Sequence, residues 1–117
     1  LINDKLTVNG VSVVAGQVEA ADMEQLRGTA DLVRDRLGSG VVILGAIVGE
    51  KVNFVAMATK DVLNRGIHAG NIVNAAAKAA GGGGGGRPDM AQAGGKEPGK
   101  TAQALEAAVN ILRQQIQ

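Results

Sequence analysis

A chain of 117 residues with 45% hydrophobic content and a net charge of +1 fits one globular domain with one core, large enough to bury about two-thirds of the surface that its unfolded form exposes. It has no cysteine and a single histidine, His68, which excludes disulfides and thiolate metal sites and leaves too few ligands for zinc. Phe54 is the one aromatic residue, which excludes RNA readers that splay bases over several ring faces, so nucleic acid must be read through shape and phosphate.

Charge is spread unevenly, with four basic and seven acidic side chains in residues 1–50 but seven and three in residues 51–100. Lys51, Lys60, Arg65, Lys78, Arg87, Lys96 and Lys100 gather around a glycine run, a polarity able to steer a polyanion to one side of the molecule. The longest apolar run, Val41–Val48, is broken by Gly45 and is far short of the roughly 20 residues that cross a bilayer. A soluble, cytoplasmic domain with no membrane partner is expected, and the start at Leu1 rather than Met implies a piece of a longer chain.

Leu6-Thr7-Val8 and Val11–Val18 flank Asn9-Gly10, a strong hairpin signal because both turn positions need positive φ. From Asp22 to Leu37 the apolar Leu26, Ala30, Val33 and Leu37 recur at helical spacing, and Gly38 follows as a stop. Val41–Val48 and Val52–Ala58 form a second hairpin around Gly49-Glu50, and the unalternating Val41-Val42-Ile43-Leu44 places its strand in the centre of a sheet. Asn71–Ala80 reads as a helix ending at the glycines, with Ile72, Val73, Ala76, Ala77 and Ala80 apolar. Thr101–Gln115 closes the chain as a helix with Leu105, Ala108, Val109, Leu112 and Ile116 on one face and Thr101 as its N-cap. The expected fold class is α/β: a mixed β-sheet from two hairpins with helices packed against it, and a glycine-rich loop before the last helix.

Six consecutive glycines, Gly81, Gly82, Gly83, Gly84, Gly85 and Gly86, would cost roughly 3–6 kcal/mol if ordered, a large share of the roughly 5–15 kcal/mol that holds a domain together. A mobile linker would avoid that cost, but the stiff Arg87-Pro88-Asp89 and a second pair, Gly94-Gly95, argue for ordered backbone. Backbone without side chains lets a large partner approach and offers N–H groups to phosphate or ribose oxygens, and Arg87 adds a planar fork suited to phosphate.

Gly-Gly-Gly-Arg-Pro followed by Ala-Gln-Ala-Gly-Gly, with His68-Ala69-Gly70 and a helix before it, resembles the DHHA1 domain at the C-terminus of alanyl-tRNA synthetases. The resemblance covers about Val13 to Leu112 and implies a single domain, 1–117, of a larger synthetase. It implies a module that grips the elbow of an alanine-specific tRNA, beside the catalytic and editing domains of the parent chain, and that helps some members to form homo-oligomers. The tRNA-binding residues it implies are Gly81–Gly86, Arg87, Pro88, Gln92, Gly94, Gly95 and Lys96, with Lys78 and His68 beside them. No cofactor is expected in this chain and no catalysis by it alone; ATP, Mg and Zn are implied for the parent's other domains. A related DHHA1 branch, in nucleotide phosphoesterases, carries His directly after the glycines, where this chain has Arg87. A third reading is an assembly module whose apolar last helix pairs with a copy of itself.

Gly94-Gly95-Lys96-Glu97-Pro98-Gly99-Lys100-Thr101 also fits the phosphate-binding pattern G-x-x-x-x-G-K-T. That chemistry needs a buried strand before the first glycine and a strand-end Asp for Mg, whereas Asp89–Ala93 is short and Ala-rich and only 16 residues follow Thr101. Lys96 and Lys100 are therefore assigned to a basic loop and a helix start. Asp61 and Asp89 have no readable metal-site partners, and His68 no readable nucleophile.

Overall fold

The computed structural model of the chain describes residues 4–116, so the expected domain span of 1–117 is seen without residues 1–3 and 117. In order, the elements are β1 (Asp4–Val8), β2 (Val11–Gln17), α1 (Met23–Leu37), β3 (Val41–Val48), β4 (Lys51–Ala58), α2 (Lys60–Leu63), α3 (Ala69–Ala79), β5 (Gly83–Gly86), β6 (Met90–Gly95) and α4 (Thr101–Gln115). The strands form a six-stranded sheet in the order β1-β2-β3-β4-β6-β5. The β2–β3 pair, joined through α1, is parallel and the others are antiparallel, so the sheet is mixed as expected.

Local chemistry explains the well-marked elements. Asn9 and Gly10 take φ values of 50° and 85° at the β1–β2 turn, the positive pair that such a hairpin demands. At α1 the Asp22 carboxylate accepts the Gln25 N–H at 2.9 Å, and the Gln25 side chain accepts the Ala21 N–H at 2.9 Å, a reciprocal cap. Gly38, at φ 78°, ends the helix with its N–H on the Arg34 carbonyl. The Asp61 carboxylate, on the short α2 that the sequence did not reveal, accepts the Ser39 hydroxyl. Hydrogen bonds from Ser39 and Thr59 hold it below the usual carboxylate range.

The apolar interior is divided, where a single core was expected. Alternate residues of β3 and β4 point to opposite faces, and both faces are apolar: Ile43, Phe54 and Ala56 pack toward α3 and α4, while Val42, Leu44, Val55 and Met57 pack toward α1. The central position of β3 produces this, because a strand between two neighbours and two helix layers has no solvent side. The apolar stripe of α4 is used inside the domain, with Ala108, Val109 and Leu112 buried. Thr101 is the first helical residue and not the N-cap; it is buried, and its hydroxyl donates to the Pro98 carbonyl at 2.6 Å. Among the described residues no helix is long and apolar enough to cross a membrane.

The glycine segment differs most from expectation. It is a strand, β5, hydrogen-bonded to β6 in a third hairpin with Gly83 opposite Gly94 and Gly86 opposite Ala91. Glycine disfavours strands, so local propensity reads a loop, and tertiary packing overrides it here. A Cβ on Gly82 would lie 1.9 Å from the Gly94 carbonyl oxygen; one on Gly84, at φ 155°, would lie 2.5 Å from the Ala93 methyl. Beneath the hairpin, α3 approaches so closely that a Cβ on Gly70 would meet the Gly86 carbonyl oxygen at 2.5 Å. Gly83 is different: a Cβ there meets nothing within 4 Å, and its φ is not positive.

The two kinds of glycine should separate in a urea denaturation series. Gly82→Ala is expected to lose about 1–3 kcal/mol through overpacking against backbone, while Gly83→Ala stays within about 1 kcal/mol of the parent or gains stability. Equal losses at both positions would contradict the close packing of β5.

Candidate nucleic-acid interface

The turn of the third hairpin, Arg87-Pro88-Asp89, is held by the start of α3. The N–H groups of Ala69 and Gly70 donate to the carbonyls of Pro88 (2.8 Å) and Arg87 (3.2 Å), and the Arg87 N–H donates to the Met90 carbonyl at 3.1 Å. His68 is the N-cap of α3; its Nδ1 accepts the Asn71 N–H at 3.2 Å, which leaves the ring proton on Nε2. The first donors of α3 are thus occupied by the protein itself, and no anion site exists at this helix start. From α4, the Gln115 carboxamide clamps the His68 backbone on both sides, accepting its N–H at 3.0 Å and donating to its carbonyl at 3.2 Å. The resulting chain of contacts, α4 to His68 to α3 to Arg87, fixes the turn while leaving the Arg87 side chain 70% exposed, with its Nε 3.3 Å from Asp89.

The other side of the hairpin is open. On that face α1 packs on β3 and β4 and leaves the β6–β5 hairpin beyond them uncovered. Gln92 and the whole of Gly83–Gly86 are exposed there, and Gly94 is half-buried. Asn53 lies in the same cross-strand row as Gly94 and Gly83, on the side opposite its buried neighbours Val52 and Phe54. The result is a strip of sheet nearly free of side chains, with Arg87 beyond one end and Lys96 beyond the other.

The expected site residues therefore divide. Gly83, Gly85, Arg87, Gln92, Gly94 and Lys96 lie on or beside the open hairpin. Gly82, Gly84, Gly86 and Gly95 serve its packing, a Cβ on Gly86 meeting the Ala91 methyl at 2.8 Å and Gly95 being buried against Ala80, and Gly81, at φ 80°, makes the turn out of α3. Pro88 contributes its carbonyl to α3, and His68 acts through the helix start it caps. Lys78 lies apart, in a depression between α3 and α4 lined also by Asn71, Asn74 and Gln114. Lys51 was not carried into the expected site, yet it lines one shallow cleft with Asn53, Gly83, Gly94 and Lys96. Only the β4–β6 register brings it there, and no local sequence signal announces that pairing.

The phosphate-loop pattern has the strand that the sequence seemed to lack, since β6 runs into Gly94-Gly95 and α4 follows. It fails on other grounds. The Thr101 hydroxyl is committed to Pro98, Lys100 pairs with Glu97 at 3.3 Å, and the N–H groups of Glu97 and Lys100 already have carbonyl partners in Ala80 and Glu97. Pro98–Lys100 forms a tight 3-10 turn in place of a phosphate-wrapping loop. Among the described residues no cluster of three or more His, Asp or Glu could hold a metal ion.

The clamp on His68 can be tested by stability. Gln115→Ala is expected to cost about 1–3 kcal/mol, because it strips both partners from part-buried peptide groups. A loss no greater than that of Gln114→Ala, measured by thermal unfolding, would count against it.

The sequence matches the DHHA1 domain family over residues 10–117. The alanine–tRNA ligase of Acetivibrio thermocellus is 59% identical over 109 residues, covering 93% of this chain and 12% of that protein. That of Clostridioides difficile is 53% identical over 116 residues, covering 99% and 13%. The chain thus spans about an eighth of the length of these relatives. The crystal structure of the C-Ala domain from Aquifex aeolicus alanyl-tRNA synthetase aligns with a TM-score of 0.83 at 33% identity, covering 95% of this chain and 99% of that one. Family match and fold coincide over nearly the whole chain, which belongs to the DHHA1 family in the C-Ala form found in alanyl-tRNA synthetases.

Proposed function

We propose that this domain holds tRNA for an alanyl-tRNA synthetase, docking the folded corner of the molecule on the open face of the glycine hairpin. The observation that carries the reading is the strip of backbone around Gly83, Gly94 and Gln92, with cations beyond both ends. A bulky, rigid partner can approach bare backbone more closely than it can approach side chains, and backbone amides and Gln92 supply hydrogen bonds to ribose and phosphate oxygens. Phe54, the one aromatic residue, is buried, so no ring is available to stack bases and shape has to be read instead. The elbow is the part of tRNA that the family resemblance implies, and alanine specificity comes from the same source.

In this reading the domain contributes binding and positioning, not chemistry. Ligation of alanine, with its ATP and Mg, and the zinc of the editing site belong to other domains of the parent, which works in the cytoplasm. Arg87 and Lys96 contact phosphates, Gln92 and the open glycines meet the backbone closely, and His68 positions the turn. Lys78 faces a separate depression and adds long-range attraction only.

Binding of the chain to full-length tRNA and to a minihelix of acceptor and T arms, whose corner is incomplete, tests the reading. The expected result is clear preference for the full tRNA, with a steep fall in affinity as salt rises. Arg87→Ala should lower the log–log salt slope by roughly 0.7–0.9, the contribution of one phosphate. Gly83→Val, at a position where a Cβ meets nothing within 4 Å, should fold normally and bind weakly. Equal binding of minihelix and tRNA, or full affinity in folded Gly83→Val, would overturn the reading.

A further inference from the structure

We infer that Lys51, Asn53 and Lys96 form a second contact point for an RNA ribose-phosphate backbone, in a cleft at the end of the glycine hairpin away from Arg87. The inference rests on the tRNA-holding function proposed above and specifies where, besides the turn, the backbone is gripped. The cleft encloses about 350 Å³, with Gly83 and Gly94 in its floor. Its walls come from distant parts of the chain: Lys51 begins β4 and Lys96 follows β6, brought together because Val52 pairs with Gly95 and Asn53 with Gly94.

Three features assign the occupant. Both lysines are exposed, and neither makes an ion pair among the described residues. Glu97, the carboxylate beside Lys96, is instead engaged by Lys100 at 3.3 Å. The lining has no aromatic and no acidic side chain, so it offers two point charges to an anion and no stacking platform to a base. The floor is continuous with the open strand. A Cβ on Gly94 would stand 3.5 Å from the Asn53 Oδ1, which places that amide beside the bare backbone where a ribose hydroxyl or phosphate oxygen would lie. With β5 rising about 3.4 Å per residue, Arg87 and this cleft stand roughly 15 Å apart. Two charged contacts at that spacing fix the direction of a strand laid across the hairpin, which one contact cannot do.

The test is tRNA binding by the chain and by Lys51→Ala, Lys96→Ala and Lys60→Ala over a salt series. Lys60 is a control for charge alone, since it follows the opposite end of β4. Lys51→Ala and Lys96→Ala are each expected to weaken binding about three- to tenfold and to lower the salt slope by roughly 0.7–0.9, and Lys60→Ala to change affinity less than about twofold. All these side chains are exposed, so folding is not at issue. If the parent chain binds tRNA but Lys51→Ala behaves like Lys60→Ala, the cleft is wrong and the hairpin reading stands. Failure of the parent chain to bind tRNA takes down both. Binding of polyglutamate as tight as that of tRNA, and equally weakened by Lys51→Ala, would overturn the assignment to RNA.

Discussion

Close approach of bare backbone at the third hairpin is the constraint on which the rest of the structure depends. β5 fits between β6 and the start of α3 because Gly82, Gly84 and Gly70 have no Cβ; the atoms that a methyl would strike lie 1.9 to 2.5 Å away and are carbonyl oxygens or another methyl. A helix with small residues on its buried face can sit tightly under such a strand, and α3 buries Ala69, Gly70, Ala76 and Ala77 beside Ile72 and Val73. The same closeness gives α3 its cap, since the carbonyls of Arg87 and Pro88 reach its first N–H groups only when the hairpin turn is pressed against it.

Packing inside the hairpin thereby shapes its outside. Glycines needed for folding and glycines open to solvent occur in one run, and only the structure tells them apart: Gly82 and Gly84 answer to β6, whereas Gly83 answers to nothing in the chain. Gly83 thus leaves bare backbone open to solvent without any internal demand for it. Rigidity comes from the far end of the sequence, where Gln115 clamps His68 and so connects α4 to the turn that presents Arg87. A surface of bare backbone has little rotamer freedom to lose on docking, which suits the rigid-shape recognition proposed for it.

Elements governed by local chemistry were legible in the sequence. Asn9-Gly10, the Gly38 stop and the apolar stripes of α3 and α4 each have a short-range cause, and each lies where the pattern put it. What was hidden depends on long-range register. The glycine strand contradicts its own propensity and exists through β6 and α3. The strand before Gly94 was masked by small residues, with Ala91 and Ala93 buried at a period of two between glycine runs. Lys51 joins Lys96 only through the β4–β6 pairing, across 45 residues of sequence. The motif Gly81–Gly95 marked the segment that forms the third hairpin, but which of its residues face outward follows from packing alone.

The most direct test of the account is an amide-resolved NMR titration of the chain with tRNA, since it reports every part of the surface at once. Docking on the open face predicts that the amides of Gly83–Gly86, Gln92, Gly94 and Lys96 shift first and most, with Lys51 and Asn53 among them, while the outer faces of α3 and α4 stay still. Shifts confined to Asn71, Asn74, Lys78 and Gln114, with the glycine hairpin unchanged, would contradict it.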